Sequence, residues 1–230
     1  MCRLAVVTVA ILVWGVTAGC LAGQTDPGPS TTVASRENKE NNDSPPAPAY
    51  RDPSLEVPLS TRGTWDLSVW AREAIGNSAN GDVGDEYVSM AGIRTGYVLG
   101  QPVENGRWRG SLEYFFDVIP VFVLTKPKVV YGGGLAPIGL KWNFLGNRRR
   151  PYFAMSGGGI FTTRNVPVGN TDNFNFTISA EGGMTIAGNS RHALVGNVGF
   201  FHLSNALMGA TNPSFNGLSF GIEYHWFKTR

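Results

Sequence analysis

The sequence predicts an all-β fold, an eight-stranded antiparallel transmembrane β-barrel, and three observations favour it. From Trp65 onward, eight runs of about ten residues alternate apolar and polar side chains and are separated by turns. No window shows the 3.6-residue stripe of an amphipathic helix. Charges of both signs recur on the less apolar face, while the opposite face is large and aromatic. A secreted β-sandwich would also alternate and remains the alternative.

The N-terminal part of the chain reads as a targeting segment followed by a tether. Residues 1–23 have a charged start and an apolar core of the length found in a signal peptide. Thr17-Ala18-Gly19-Cys20 resembles a lipoprotein cleavage box, so lipidation at Cys20 and ordinary cleavage near Ala22 or Gly23 are alternatives. Residues 24–60 are rich in Pro, Ser and Asn and predict a disordered tether, or a rigid spacer. Residues 61–230 form the predicted barrel.

The composition excludes several classes of function. The 230 residues carry only 16% charged side chains and a net charge of +2, without the dense basic patch of a nucleic-acid-binding protein. Cys2 and Cys20 are the two cysteines, and both precede the predicted barrel. The barrel therefore has no disulfide framework and no thiol metal site. No spacing typical of metal ligands occurs, and we expect no cofactor.

The predicted strands define two faces and two ends. They are Trp65–Ile75, Glu86–Leu99, Trp108–Asp117, Leu135–Leu145, Tyr152–Thr163, Phe174–Ala187, Ala193–Ser204 and Asn216–Phe227. Eight strands leave an interior that side chains can fill, so the charges on the less apolar face should pair inside the barrel. These charges are Arg72, Arg94, Arg109, Glu113, Asp117, Lys141, Glu181 and Glu223.

Loop lengths predict the orientation, because outer loops of such barrels are longer than periplasmic turns. With the tether on the periplasmic side, the outer loops are 76–85, 118–134, 164–173 and 205–215. The inner turns are 100–107, 146–151 and 188–191.

The seventh strand carries the candidate chemistry. His202 and Ser204 are two residues apart, so in a strand they share one face with Cα atoms ~6.7 Å apart. An imidazole beside a hydroxyl is the minimum set for an activated serine nucleophile. Their face continues through Val198 and Phe200 and should look outward. Asn216 opens the eighth strand and could lie beside His202. A polar cluster that bonds within itself avoids most of the cost of exposure to lipid.

A resemblance extends this hypothesis. His202-Leu203-Ser204-Asn205-Ala206, followed by Asn212-Pro213, resembles the lipid A 3-O-deacylase (PagL-type) family of outer-membrane acyl hydrolases. The segment from Gly134 to Phe144 is similar to what that family carries before its fifth strand, and the resemblance covers roughly residues 62–228.

The resemblance implies a serine esterase of the outer membrane that removes an ester-linked 3-O-acyl chain from lipid A. Its partner is lipid A, or lipopolysaccharide, in the outer leaflet, and its active site lies on the outer wall near the extracellular rim. Ser204 becomes the nucleophile, His202 its general base, and the side chain of Asn205 part of the oxyanion hole. Asn216 stands where the family places a Glu, and an Asn can still orient an imidazole.

Two alternatives stay open from the sequence. One is a non-catalytic eight-strand barrel of the outer membrane with a structural or adhesive role. The other concerns assembly, since a homodimer is compatible with the sequence. His192 and His225 are read as structural, and Glu223 is predicted to face the lumen, too far along its strand to replace the missing acid.

Overall fold

Eight antiparallel strands close into one barrel in the computed structural model, which describes residues 61–78, 86–126, 128–145, 149–166, 172–208, 210–212 and 214–229. The strands are β1 (Trp65–Ser78), β2 (Glu86–Val98), β3 (Gly110–Leu124), β4 (Val130–Phe144), β5 (Pro151–Thr162), β6 (Phe174–Gly188), β7 (His192–Ser204) and β8 (Phe215–Lys228). Each strand pairs with the next, and β8 closes on β1. The predicted fold class is confirmed. The predicted signal peptide and tether lie outside the described residues.

The outer wall of the barrel is apolar because each strand places every second side chain outward. On β8, Leu218, Phe220 and Ile222 are each about half exposed, while Ser219 and Glu223 between and beyond them are buried. The wall repeats this pattern on the other strands, giving a continuous apolar surface far larger than a water-soluble monomer exposes. A closed sheet with such a wall satisfies its backbone hydrogen bonds and can face lipid.

The two ends of the barrel are named after a residue that lies at each of them. The Ser204 end is the one at which β1, β3, β5 and β7 finish, and the Trp65 end is the one at which they begin. Aromatic pairs line the outer wall near the Trp65 end, with ring centroids 4.9 Å apart for Trp65 and Tyr97 and 4.7 Å apart for Tyr224 and Trp226. Such a belt is typical of a membrane interface.

The middle of the interior is held by buried ion pairs. Arg94 Nε lies 2.7 Å from Asp117 Oδ1, and Arg94 Nη1 lies 3.1 Å from Glu181 Oε1. Arg72 Nη2 lies 2.8 Å from Glu181 Oε2 and 2.6 Å from Glu223 Oε1. The charges therefore pair inside the barrel, as predicted. Arg109 is the exception, because it precedes β3 and is exposed.

A second group of charges lies nearer the Trp65 end. Lys141 Nζ lies 3.2 Å from Asp66 Oδ2 and 3.4 Å from Glu113 Oε2. His225 lies between two carboxylates, 2.8 Å from Asp66 and 3.0 Å from Glu223. This position agrees with the prediction that His225 is a structural residue.

The interior at the Ser204 end holds a large apolar cluster, which the sequence did not predict. Its buried cluster includes Phe122, Leu124, Ile160, Phe201, Leu203 and Phe215. Side chains from seven strands and one loop meet there, in the lumen behind the last residues of β7 and the first residue of β8. The ion pairs of the expected polar interior thus lie in the middle and toward the Trp65 end, and at the Ser204 end this apolar cluster is accompanied by buried polar side chains such as Glu86, Thr162 and Asn175.

The predicted outer loop 118–134 is wrong in extent. β3 continues to Leu124 and β4 begins at Val130, and the two strands pair up to Leu124 and Val130. The register shifts between Ile119 and Phe122, on either side of Pro120. A bulge accommodates a proline, which cannot donate a ladder hydrogen bond, so the strand survives a residue that normally ends one.

One acidic side chain lies on the outer wall against the pattern. Glu73 occupies an outward position of β1, half-buried, and accepts a hydrogen bond of 2.7 Å from Ser89 Oγ on β2. Its neighbours along the same face, Ala71 and Ile75, are apolar.

In the part of the chain that the structure covers, no helix is long and apolar enough to cross a membrane.

Candidate functional site

The register of β7 against β8 brings the predicted residues together on the outer wall. His202 and Ser204 share the face of Val198 and Phe200, which are each about half exposed. Leu203, between them, is fully buried on the opposite face, within the apolar cluster of the Ser204 end. A slip of one residue would turn Leu203 outward, so its burial fixes the face on which His202 and Ser204 lie.

A chain of hydrogen bonds joins three side chains at this place. His202 Nε2 lies 3.0 Å from Ser204 Oγ, and His202 Nδ1 lies 2.8 Å from Asn216 Oδ1. His202 and Asn216 are directly opposite in the β7–β8 ladder, as predicted. Ser204 is only 8% exposed, and His202 is half-buried.

The partner of each ring nitrogen decides what the imidazole can do. The amide oxygen of Asn216 only accepts hydrogen bonds, so a neutral His202 facing it carries its hydrogen on Nδ1. Nε2 then has a free lone pair directed at the hydroxyl of Ser204. This is the arrangement in which an imidazole can take the proton of a serine.

Asn205 is held inside the loop that follows β7. Its Nδ2 donates to the carbonyl oxygen of Thr211 at 2.9 Å, and its Oδ1 accepts from the backbone N–H of Leu207 at 3.2 Å. The side chain is almost completely buried. Asn205 therefore fixes the shape of the loop, and its part in an oxyanion hole stays a prediction.

The turn directly after the candidate nucleophile is strained. Ala206 and Leu207 have φ angles of 50° and 66°, and the N–H of Met208 donates to the carbonyl oxygen of Asn205 at 3.0 Å. Two successive non-glycine residues in the left-handed region are uncommon and cost free energy. Such strain is often found beside functional residues.

Ser214 is a fourth member of the chain that the sequence analysis missed. Asn216 Nδ2 donates to Ser214 Oγ at 3.0 Å. Ser214 and Asn216 flank Phe215, which is buried in the apolar cluster of the Ser204 end. The Ser-x-Asn spacing at the start of a strand was the signal available, since residues i and i+2 share a face.

The remaining histidines lie away from this chain. His225 is in the lumen, and His192 begins β7, where its ring stacks on Tyr224 with centroids 6.0 Å apart. Among the described residues, no group of three His, Cys, Asp or Glu side chains could hold a metal ion.

These features define a membrane β-barrel with a hydrogen-bonded Ser–His–Asn group on its outer wall. The sequence model of the lipid A 3-O-deacylase (PagL) family matches residues 65–225, which include β1 to β7 and most of β8. The chain belongs to this family. No curated protein matches it significantly.

Several solved structures are similar to the barrel. The outer membrane enzyme PagL is 16% identical, with a TM-score of 0.48 over 69% of this chain and 97% of that one. Neisserial surface protein A is 12% identical, with a TM-score of 0.44 over 72% and 99%. The outer membrane protein OprG from Pseudomonas aeruginosa is 8% identical, with a TM-score of 0.45 over 76% and 100%.

Proposed function

We propose that the protein is a serine esterase of the outer membrane that removes an ester-linked 3-O-acyl chain from lipid A. The observation that carries the proposal is the chain of hydrogen bonds from Ser204 through His202 to Asn216 on the apolar outer wall. Membership of the lipid A 3-O-deacylase family supports lipid A as the substrate.

The reaction follows from the roles of the two nearest side chains. Ser204 Oγ attacks the carbonyl carbon of the ester as its proton passes to Nε2 of His202. The tetrahedral intermediate collapses when the bond to the sugar oxygen breaks, and His202 returns the proton to that oxygen. The products of this step are a free 3-hydroxyl on lipid A and an acyl group on Ser204. A water molecule then attacks the acyl carbonyl as His202 takes its proton, and the bond to Ser204 Oγ breaks as His202 returns that proton to the oxygen, which releases the fatty acid.

The oxyanion needs hydrogen-bond donors near Ser204. We assign this role to the side chain of Asn205 and a backbone N–H just after it. One of the two hydrogens on Asn205 Nδ2 is directed at Thr211, and in this proposal the second is donated to the oxyanion. The turn at Ala206 and Leu207 sets where the following N–H groups point.

The position of the site on the barrel suits a glycolipid of the outer leaflet. Ser204 is the last residue of β7, so in this proposal the Ser204 end is the extracellular rim. Below it on the same face, Phe200 and Val198 present an apolar surface to acyl chains. The polar group then lies near the level at which sugar and ester groups meet hydrocarbon.

Mass spectrometry of lipid A tests the proposal directly. Cells that make the protein should lose one 3-linked hydroxyacyl chain, and cells that make Ser204→Ala or His202→Ala should keep it. Ser179→Ala is a matched control, because that hydroxyl lies in the lumen, where it bonds with Ser156. Each variant is checked for equal amounts in the outer membrane.

Two results would contradict the proposal. If the Ser204→Ala variant is as active as the unchanged protein on purified lipid A, Ser204 is not the nucleophile. Lipid A that is identical in all strains would instead support a non-catalytic barrel with a structural or adhesive role.

A further inference from the structure

We propose that Ser214 is a positioning residue, which supplies the acceptor that the amide of Asn216 needs when His202 takes up the proton of Ser204. This inference rests on the proposed function. It concerns a residue outside the Ser–His–Asn group, joined to that group by the bond from Asn216 Nδ2 to Ser214 Oγ.

An amide at position 216 creates a requirement that a carboxylate would not. The two ends of an amide differ, because one accepts hydrogen bonds and the other donates them. With Oδ1 toward His202, as observed, the imidazole can accept a proton at Nε2. With the amide rotated by half a turn, Nδ2 would face Nδ1, and the ring would carry its hydrogen on Nε2 and could not act as a base.

The requirement is strictest at the transition state. When His202 becomes an imidazolium, both ring nitrogens are donors, so Nδ1 must face Oδ1 of Asn216. Nδ2 is then directed away from the ring and needs an acceptor in a half-buried position. The oxygen of Ser214, 3.0 Å away, is that acceptor. In the resting enzyme the hydroxyl could serve either amide orientation, so Ser214 should contribute more to the transition state than to substrate binding.

The burial of Phe215 explains why Ser214 and Asn216 lie on the same face. Phe215, between Ser214 and Asn216, is buried at the Ser204 end of the lumen, with its ring 6.1 Å from that of Phe201. Its neighbours on either side are therefore turned to the outer wall. Ser214 and Asn216 thus meet because of the same buried side chain that begins β8.

Kinetics of the full-length protein in detergent micelles test the inference, with purified lipid A as substrate. Ser214→Ala should lower kcat roughly tenfold and leave KM unchanged. This is the effect expected from the loss of one hydrogen bond to Asn216, which itself contacts the imidazolium. Ser214→Thr keeps the hydroxyl and should restore most of kcat. In an Asn216→Asp background the Ser214→Ala change should cost less than about threefold, because a carboxylate has no N–H to satisfy. Thr95→Ala, an outward hydroxyl on β2, is the control.

Two outcomes would overturn the role of Ser214. One is an equal loss from Ser214→Ala in both backgrounds, and the other is a change in KM alone. Both would show that Ser214 acts on the substrate or the fold and not through Asn216.

A second measurement separates this inference from the identity of the substrate. A fluorophosphonate labels a serine only when a base activates it, so the rate of Ser204 labelling follows His202 without lipid A. Ser214→Ala should slow labelling in the native background and hardly alter it with Asn216→Asp. If labelling behaves so while lipid A is untouched, the substrate proposal fails and Ser214 keeps its role. If Ser204 is never labelled, both proposals fail.

Discussion

Oδ1 of Asn216 lies 2.8 Å from Nδ1 of His202, across a pair of residues that face each other in the β7–β8 ladder. The contact orients the imidazole as an acid would, but it brings no charge. In the proposed reaction, an imidazolium at His202 would therefore face the dipole of an amide at this side and not a charge. The side chain at position 216 has the right length and the right place for a carboxylate.

Asn216→Asp should raise the activity of the protein. Aspartate matches asparagine in shape, so its carboxylate would contact Nδ1 at the same distance. Two unit charges 4 Å apart near a protein surface interact by about 4 kcal/mol, and about 1.4 kcal/mol of this at the transition state gives a tenfold higher kcat. The rate at which fatty acid is released from lipid A measures this change in kcat. Asn216→Ala is the control and should lower kcat; a faster Asn216→Ala would show that the amide hinders the reaction.

The buried charges of the lumen should be essential to folding. Arg94 bridges Asp117 and Glu181, and its removal leaves Asp117 without its closest cation and Glu181 with Arg72 as its remaining partner. Arg94→Met should lower the free energy of unfolding by about 3–5 kcal/mol. Urea titration in detergent micelles provides the measurement. Arg109→Met, at an exposed position before β3, should change little, and similar effects of the two variants would argue against the ion pairs as the cause.

Substitution by alanine should destabilise the protein at one of two adjacent glycines of β5 and have little effect at the other. A Cβ at Gly158 would lie 2.1 Å from the carbonyl oxygen of Leu135 and 2.5 Å from Cα of Ala136, whereas a Cβ at Gly157 meets nothing closer than 3.8 Å. Gly158→Ala must push two strands apart and should cost about 1–3 kcal/mol of stability. Gly157→Ala should fold normally. Unfolding midpoints of the two proteins decide this, and equal midpoints would contradict the close approach of β4 and β5.

The carboxylate on the outer wall should reduce the stability of the barrel in lipid. Glu73 accepts its hydrogen bond from Ser89 among apolar neighbours. The double variant Glu73→Leu, Ser89→Ala removes this polar pair from the surface. The double variant should be more stable by on the order of 1 kcal/mol, since acidic groups on a lipid face are unfavourable. Refolding into lipid vesicles measures the change. Glu104→Leu, in the exposed turn before β3, is the control and should give no gain. A less stable double variant would show that Glu73 has a favourable partner within the membrane.

The sequence predicted the strands well where one face was uniformly apolar. On β8 the two-residue period placed Leu218, Phe220 and Ile222 outward and Glu223 inward, as found. It failed around Pro120 and the glycines at 132–134, which resemble a loop locally but pair across β3 and β4 through bulges. Pairing between distant strands supplies the stability there, and no local pattern reports it.

The site was predictable to the extent that it lies on strands. His202 and Ser204 share a face by spacing alone, and Asn216 followed from antiparallel pairing of β7 with β8. The contacts of Asn205 with Leu207 and Thr211 depend on the path of a loop, so the sequence could not predict them. Glu73 was missed for the opposite reason, because it contradicts the period that identified its own strand.

The apolar filling of the lumen behind Leu203 has a consequence for how a reactant could arrive. Because the described side chains at that level pack together inside the barrel, an ester would come to Ser204 sideways, through the plane of the bilayer. Turnover would then follow the density of the lipid in its leaflet and the fluidity of that leaflet, and would be indifferent to the volume of the surrounding solution. Diluting the reactant with inert lipid at constant total amount should slow such an enzyme as effectively as removing the reactant.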